Sequence, residues 1–195
     1  MVEHVGERLK GHSVILLLLC LGMSLVGVVL PSAPIEAEAA SIDPAKPFRL
    51  VVPDIDLRAR VIPIEMTDDG VLHPPEDTDL VGWWKPSAMP ARDDGQTLLT
   101  GHTVNNGEGV MNRMGELEEG AEVRVRTEAG AVEYETTEVT TYTVEELAEN
   151  ADELFGQDRD DNRLVMVTCT DWDGEVYQSN IVAFADPVEE VPHGE

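Results

Sequence analysis

Two side chains of this chain are of the right type for nucleophilic acyl chemistry: the thiol of Cys169 and the imidazole of His102. The chain has two cysteines. Cys20 sits inside an apolar run, so Cys169 has no partner for an internal disulfide downstream of it. An unpaired thiol reads either as a reactive group or as an inert filler at a strand end. Of five histidines, His4 and His12 precede or border the apolar run, and His193 lies in the acidic C-terminal stretch. His73 precedes Pro74-Pro75 in a loop. His102 ends the run Gln96-Thr97-Leu98-Leu99-Thr100-Gly101, where the polar residues Thr103, Asn105 and Asn106 begin. A free thiol titrates near about 8.5, so it needs a cationic neighbour to be nucleophilic at neutral pH. An imidazolium meets that need and can then protonate a leaving amine.

To meet, two residues so far apart in sequence must be carried by neighbouring strands. From Phe48 onward, short runs rich in Val, Ile, Leu, Tyr and Thr alternate with Gly, Asp, Asn and Pro, a pattern of strands and turns. It predicts strands over Phe48–Val52, Ala59–Ile64, Gln96–Gly101, Glu122–Thr127, Ala131–Tyr142, Arg163–Thr168 and Val176–Phe184. Leu164-Val165-Met166-Val167 are four consecutive apolar residues, the mark of a strand buried on both faces, with Cys169 at its mouth. Asp69-Gly70 and Ala129-Gly130 read as hairpin turns. Only Val110–Leu117 and Val144–Leu154 read as helical, the second with Thr143 as N-cap and Glu145-Glu146 in its first turn. The fold class expected is all-β: a closed barrel of about eight strands with short peripheral helices.

Ahead of this domain, Ser13–Leu30 carries no charged residue, and as a helix it would cover about 27 Å, the hydrocarbon thickness of a bilayer. It reads as an N-terminal transmembrane anchor, with residues 1–12 cytoplasmic and the remainder extracytoplasmic. A cleaved export signal is the competing reading, since Ala37-Glu38-Ala39 has small residues at the spacing a signal peptidase accepts. Residues 31–47, rich in Pro, Ala, Ser and Glu, form a linker; residues 48–186 form the folded domain, and 187–195 an acidic tail. The formal charge of -26 repels nucleic-acid phosphates and anionic lipid headgroups alike, and excludes nucleic acid as a partner. The acidic stretch Asp158-Arg159-Asp160-Asp161-Asn162 lacks the glycine and distal glutamate of an EF-hand loop, so no metal is expected, and no cofactor motif is present.

The segments Thr97-Leu98-Leu99-Thr100-Gly101-His102-Thr103 and Leu164-Val165-Met166-Val167-Thr168-Cys169-Thr170 together resemble the paired active-site signatures of the sortases. Gly82-Trp83-Trp84, Gly109–Leu117 and Tyr177–Val182 resemble segments of the actinobacterial class E and F sortases, class F being the nearer branch. The likeness spans roughly Phe48 to Asp186. It implies a sortase barrel and a membrane-bound cysteine transpeptidase of the Gram-positive surface. Such an enzyme cleaves a Thr-containing sorting signal through a Cys169 thioacyl intermediate and passes the acyl chain to a cell-wall or pilin amine. His102 is implied as its acid/base.

One position departs from the family. Sortases generally carry an arginine on the strand after the cysteine, and Asn180 stands there in this chain. No basic residue other than His193 follows Cys169. Three explanations are open: Asn180 donates through its amide, Arg113 reaches the site, or chemistry is impaired. Thr168 and Thr103 flank the pair and are candidates for substrate positioning or for a purely structural role. The competing function classes are a sortase-fold binding or scaffolding domain and an L,D-transpeptidase. The second is disfavoured because its Ser-His-Gly-Cys cluster is absent.

Overall fold

The computed structural model describes residues 40–193 other than Asp69. The anchor, the cytoplasmic segment and most of the linker read from the sequence lie outside these residues. Eight strands close into a barrel: β1 (Pro47–Val52), β2 (Leu57–Ile64), β3 (Leu80–Trp84), β4 (Gln96–Gly101), β5 (Glu122–Thr127), β6 (Gly130–Thr143), β7 (Arg163–Trp172) and β8 (Tyr177–Pro192). Their order around the ring is β1-β2-β3-β4-β7-β8-β6-β5. Two short helices, α1 (Val144–Glu149) and α2 (Ala151–Phe155), connect β6 to β7.

Alternation builds the wall. In β5, Val123, Val125 and Thr127 point inward while Glu122, Arg124 and Arg126 face solvent, as a half-buried strand requires. The interior packs Leu50, Val81, Trp83, Leu99, Met111, Met114, Val123, Tyr134, Leu164 and Met166. A second apolar layer lies outside the wall, where Leu98, Val165, Val182 and Phe184 pack with Leu154 and the half-buried Leu147 and Phe155 of the two helices. β4 is therefore buried along its whole length, and the apolar run of β7 is covered on both sides, as its sequence indicates.

The structure differs from the sequence reading in six places. β3 was not expected as a strand, and it pairs in parallel with β2, so the turn at Gly70 (φ 84) belongs to a crossover and not to a hairpin. The turn before Gly130 does join β5 and β6 as an antiparallel pair. Residues 110–117 form tight turns and a single 3-10 turn at Met114–Glu116 instead of a helix. The helix expected over Val144–Leu154 breaks at Asn150, whose side chain donates to the Glu146 carbonyl at 2.7 Å; the Thr143 capping box is formed with Glu146. β7 continues past Cys169 to Trp172, and β8 continues through residues 187–192, pairing Val191 with Ala131.

Candidate functional site

The register of the barrel brings the expected site residues to one end. β4 and β7 run in parallel with Leu98 opposite Val165 and Thr100 opposite Val167. Continued by two residues, that register sets His102 beside Cys169 on the same face, since side chains repeat every second residue. On the other side of β7, Cys169 pairs directly with Asn180 of β8. Cys169 thus stands between the imidazole segment and the amide.

His102 lies one residue beyond β4, so no ladder bond fixes it; side chains and one loop backbone bond do. The Thr168 hydroxyl, only 2 % exposed, donates to the Gly101 carbonyl at 2.8 Å. It accepts from the Thr103 hydroxyl at 2.9 Å. The Tyr177 phenol donates to the Thr103 carbonyl at 2.8 Å, and Met111 N–H donates to the His102 carbonyl at 3.0 Å. The following loop is closed by Asn112, whose Oδ1 accepts from Val104 N–H at 2.7 Å and whose amide donates to the Gly107 carbonyl at 2.9 Å. A Cβ on Gly109 would come within 2.5 Å of the His102 carbonyl oxygen, so this loop requires glycine there. On the ring, Nε2 is 2.8 Å from the Pro75 carbonyl oxygen. A carbonyl only accepts, so Nε2 carries the hydrogen, and Nδ1 is the nitrogen left to exchange a proton.

Cys169 is unpaired and partly buried. Burial pushes its thiol pKa up, partly offset by the Asn180 amide, whose Nδ2 lies 3.8 Å from Sγ and donates to the Thr168 carbonyl at 3.3 Å. Below Cys169, on the outer face of the barrel, runs a cleft of about 730 Å³. Leu98, Thr100, Val167 and Asn180 form its floor; Leu147, Ala151 and Phe155 form one wall, and Met66, Val71, Leu72 and His73 the other. Among the described residues no arginine or lysine lines it.

Arg113 is absent from that lining. Its guanidinium donates to Asp56 at 2.7 Å and to Glu116 at 2.7 and 3.0 Å, and this pairing holds its pKa above the ordinary value. The Thr168 hydroxyl is taken up by Gly101 and Thr103. Asn180 alone of the three accessory candidates presents a donor to the sulfur. Sequence reasoning missed the roles of Pro75, which acts through its carbonyl, and of Asn112 and Tyr177, whose side chains bond backbone atoms of neighbouring segments and leave no side-chain motif.

A sortase-domain family model matches residues 50–188. The chain belongs to the sortase family. Its barrel superposes on solved sortases whose low identity speaks for the fold alone. Sortase C-1 of Actinomyces oris matches with TM-score 0.57 at 22% identity, over 75% of this chain and 73% of that one. Sortase C1 of Streptococcus suis matches at 0.58 and 17%, over 77% of each chain. Listeria monocytogenes sortase A matches at 0.57 and 16%, over 78% of this chain and 93% of that one. No curated protein matches the chain. Sortases as a family are cysteine transpeptidases, and in this sortase the family's thiol and imidazole signatures fall on neighbouring strands.

Proposed function

We propose that this sortase is a membrane-anchored cysteine transpeptidase of the actinobacterial class E/F type, nearest class F, with its barrel outside the cytoplasmic membrane. The observation that carries the reading is the register: Cys169 is flanked by the His102 segment across β7–β4 and by Asn180 across β7–β8, at the head of an apolar cleft. The cleft suits an extended peptide of a Thr-containing sorting signal lying along β4 and β7.

In the productive state Cys169 is thiolate and His102 imidazolium. The sulfur attacks the scissile carbonyl carbon, and the electron pair of the C=O moves onto oxygen as the C–S bond forms. Asn180 Nδ2–H faces that developing oxyanion in place of a guanidinium. Collapse breaks the C–N bond, and Nδ1–H of His102 protonates the departing amine, leaving a thioester. A cell-wall or pilin amine then attacks the thioester and gives its proton to Nδ1. The acyl chain passes to a new amide and the thiolate is regenerated. Pro75 keeps Nε2 protonated throughout, so proton traffic is confined to one nitrogen.

The raised thiol pKa and the absence of arginine and lysine from the cleft among the described residues favour a second reading, a sortase-fold surface domain that binds sorting signals with little turnover. One experiment separates the two. The protein is incubated with a panel of Thr-containing sorting pentapeptides and an amine, and products are followed by mass spectrometry. Acyl transfer that vanishes in both Cys169→Ala and His102→Ala supports the enzyme. Peptide binding without any thioester adduct on Cys169 supports the binding domain.

A further inference from the structure

The wall of the barrel farthest from Cys169 carries a patch of opposite sign to the rest of the protein. β1 stands four strands from β7 in either direction around the ring. On the outer face of β5, β1 and β2 the register aligns Arg126, Arg49 and Arg60 in one row, and Arg124, Val51 and Arg58 in the next. All five arginines are exposed. By sheet geometry the grid measures roughly 10 Å across the strands and about 7 Å along them.

Like charges directly opposite one another destabilise a sheet, and 39 acidic residues offer ample carboxylates to relieve them. Yet only Arg124 of the five is ion-paired among the described residues, with Glu133. The other carboxylate pairs go to Lys85, Arg92, Arg113 and Arg159. Arg126 stacks over the ring of Phe48, 6.0 Å from its centroid, and that ring is 39 % exposed within the patch.

We propose that this face docks on anionic phospholipid headgroups, turning the Cys169 cleft away from the bilayer. All five cations are arginines, whose planar fork matches phosphate oxygens. An exposed aromatic ring among them suits a membrane interface better than a dissolved polymer. The inference rests on the anchor reading above: the stretch leading from Ser13–Leu30 reaches β1 by way of Ile42, whose N–H donates to Glu190 at 2.7 Å, so the tether keeps the barrel near the membrane at high effective concentration and the charge pattern selects the face presented. Screening over about 10 Å lets the patch act locally despite the net charge. Repulsion of the acidic walls favours the same orientation.

The test uses the full chain reconstituted with phosphatidylcholine vesicles, with or without phosphatidylglycerol. Its arginines are labelled with phenylglyoxal and mapped by mass spectrometry, with Arg92 and Arg113 as internal references. Each guanidinium at an anionic surface is favoured about fivefold. Labelling of Arg49, Arg58, Arg60 and Arg126 is therefore expected to slow about fivefold with phosphatidylglycerol, and to recover in high salt or in the Arg58→Gln/Arg60→Gln variant at Arg49. Equal labelling in the two vesicles overturns the proposal. So does protection in phosphatidylcholine alone, which assigns the face to a second copy, or protection only by a soluble phosphodiester polymer. Failure of the chain to associate with either vesicle also overturns it, together with the anchor. Acyl transfer between soluble peptides is indifferent to all these outcomes, so loss of transfer with arginine protection intact refutes the enzyme reading alone.

Discussion

Replacing Asn180 with alanine removes the one amide that faces both the sulfur and the position of the developing oxyanion. Nδ2 lies 3.8 Å from Sγ and 3.3 Å from the Thr168 carbonyl oxygen. It has two hydrogens: one bonds Thr168, and the one that meets Sγ across 3.8 Å is the one that can turn to the substrate oxygen as charge develops there. A preorganised donor of this kind lowers the barrier by roughly 3 to 4 kcal/mol, so kcat is expected to fall about 100- to 1000-fold with KM little changed. The lost bond to Thr168 is between neutral groups and costs about 1 kcal/mol of stability, so the barrel stays folded. The amide also lowers the Cys169 pKa, so the thiol of the variant titrates higher still and alkylates more slowly at neutral pH. The assay is peptide-to-amine transfer by mass spectrometry, paired with iodoacetamide alkylation across pH. Correcting turnover for thiolate content isolates the oxyanion effect. Unchanged turnover, or a loss fully explained by slower alkylation, refutes the argument for Asn180 as oxyanion donor.

Three further outcomes are expected. Thr168→Val keeps the shape but removes the hydroxyl that bonds the Gly101 carbonyl and the Thr103 hydroxyl; urea unfolding should show a loss of about 1 to 3 kcal/mol, with turnover reduced because His102 is no longer clasped. Gly109→Ala drives a methyl against the His102 carbonyl oxygen, so transfer should fall while Cys169 alkylation persists; an undiminished transfer rate would show that the loop yields freely. Because burial raises the Cys169 pKa, its alkylation rate should still be rising with pH where a free cysteine has levelled off. By the same linkage the buried thiol's contribution to stability is complete below the ordinary thiol pKa and is lost as pH rises through the raised folded value.

Much of the barrel was legible from local pattern. β5 alternates strictly and β4 pairs two leucines with a glycine stop, and both were read at their observed bounds. β3 escaped because Leu80-Val81-Gly82-Trp83-Trp84 is short, with a glycine at its centre and no alternation. The far ends of β7 and β8 escaped because Asp171 and the acidic residues after Asp186 look like loop and tail. Those segments are held by pairing to strands distant in sequence, which no local window contains. The thiol and the imidazole were singled out from residue type and position, and Asn180 from the sortase resemblance, as the residue standing where an arginine was expected; register sets all three segments side by side. The clasp was not, because the carbonyls of Pro75, Gly101 and Thr103 are invisible in side-chain identity. The arginine face escaped for the same reason: Arg49, Arg60 and Arg126 become neighbours only through register.

The parallel pairing of β4 with β7 joins residues sixty-seven positions apart, as the bond from Thr168 to Gly101 shows. Contacts of such separation form late, after the entropy of a long closure has been met. A partly folded chain therefore carries a sulfur with no imidazole at its side, open to simple alkylation but without an acid to release an amine. On the transpeptidase reading proposed above, acyl transfer requires that long-range ladder to be in place, which would make turnover a gauge of completed pairing between β4 and β7.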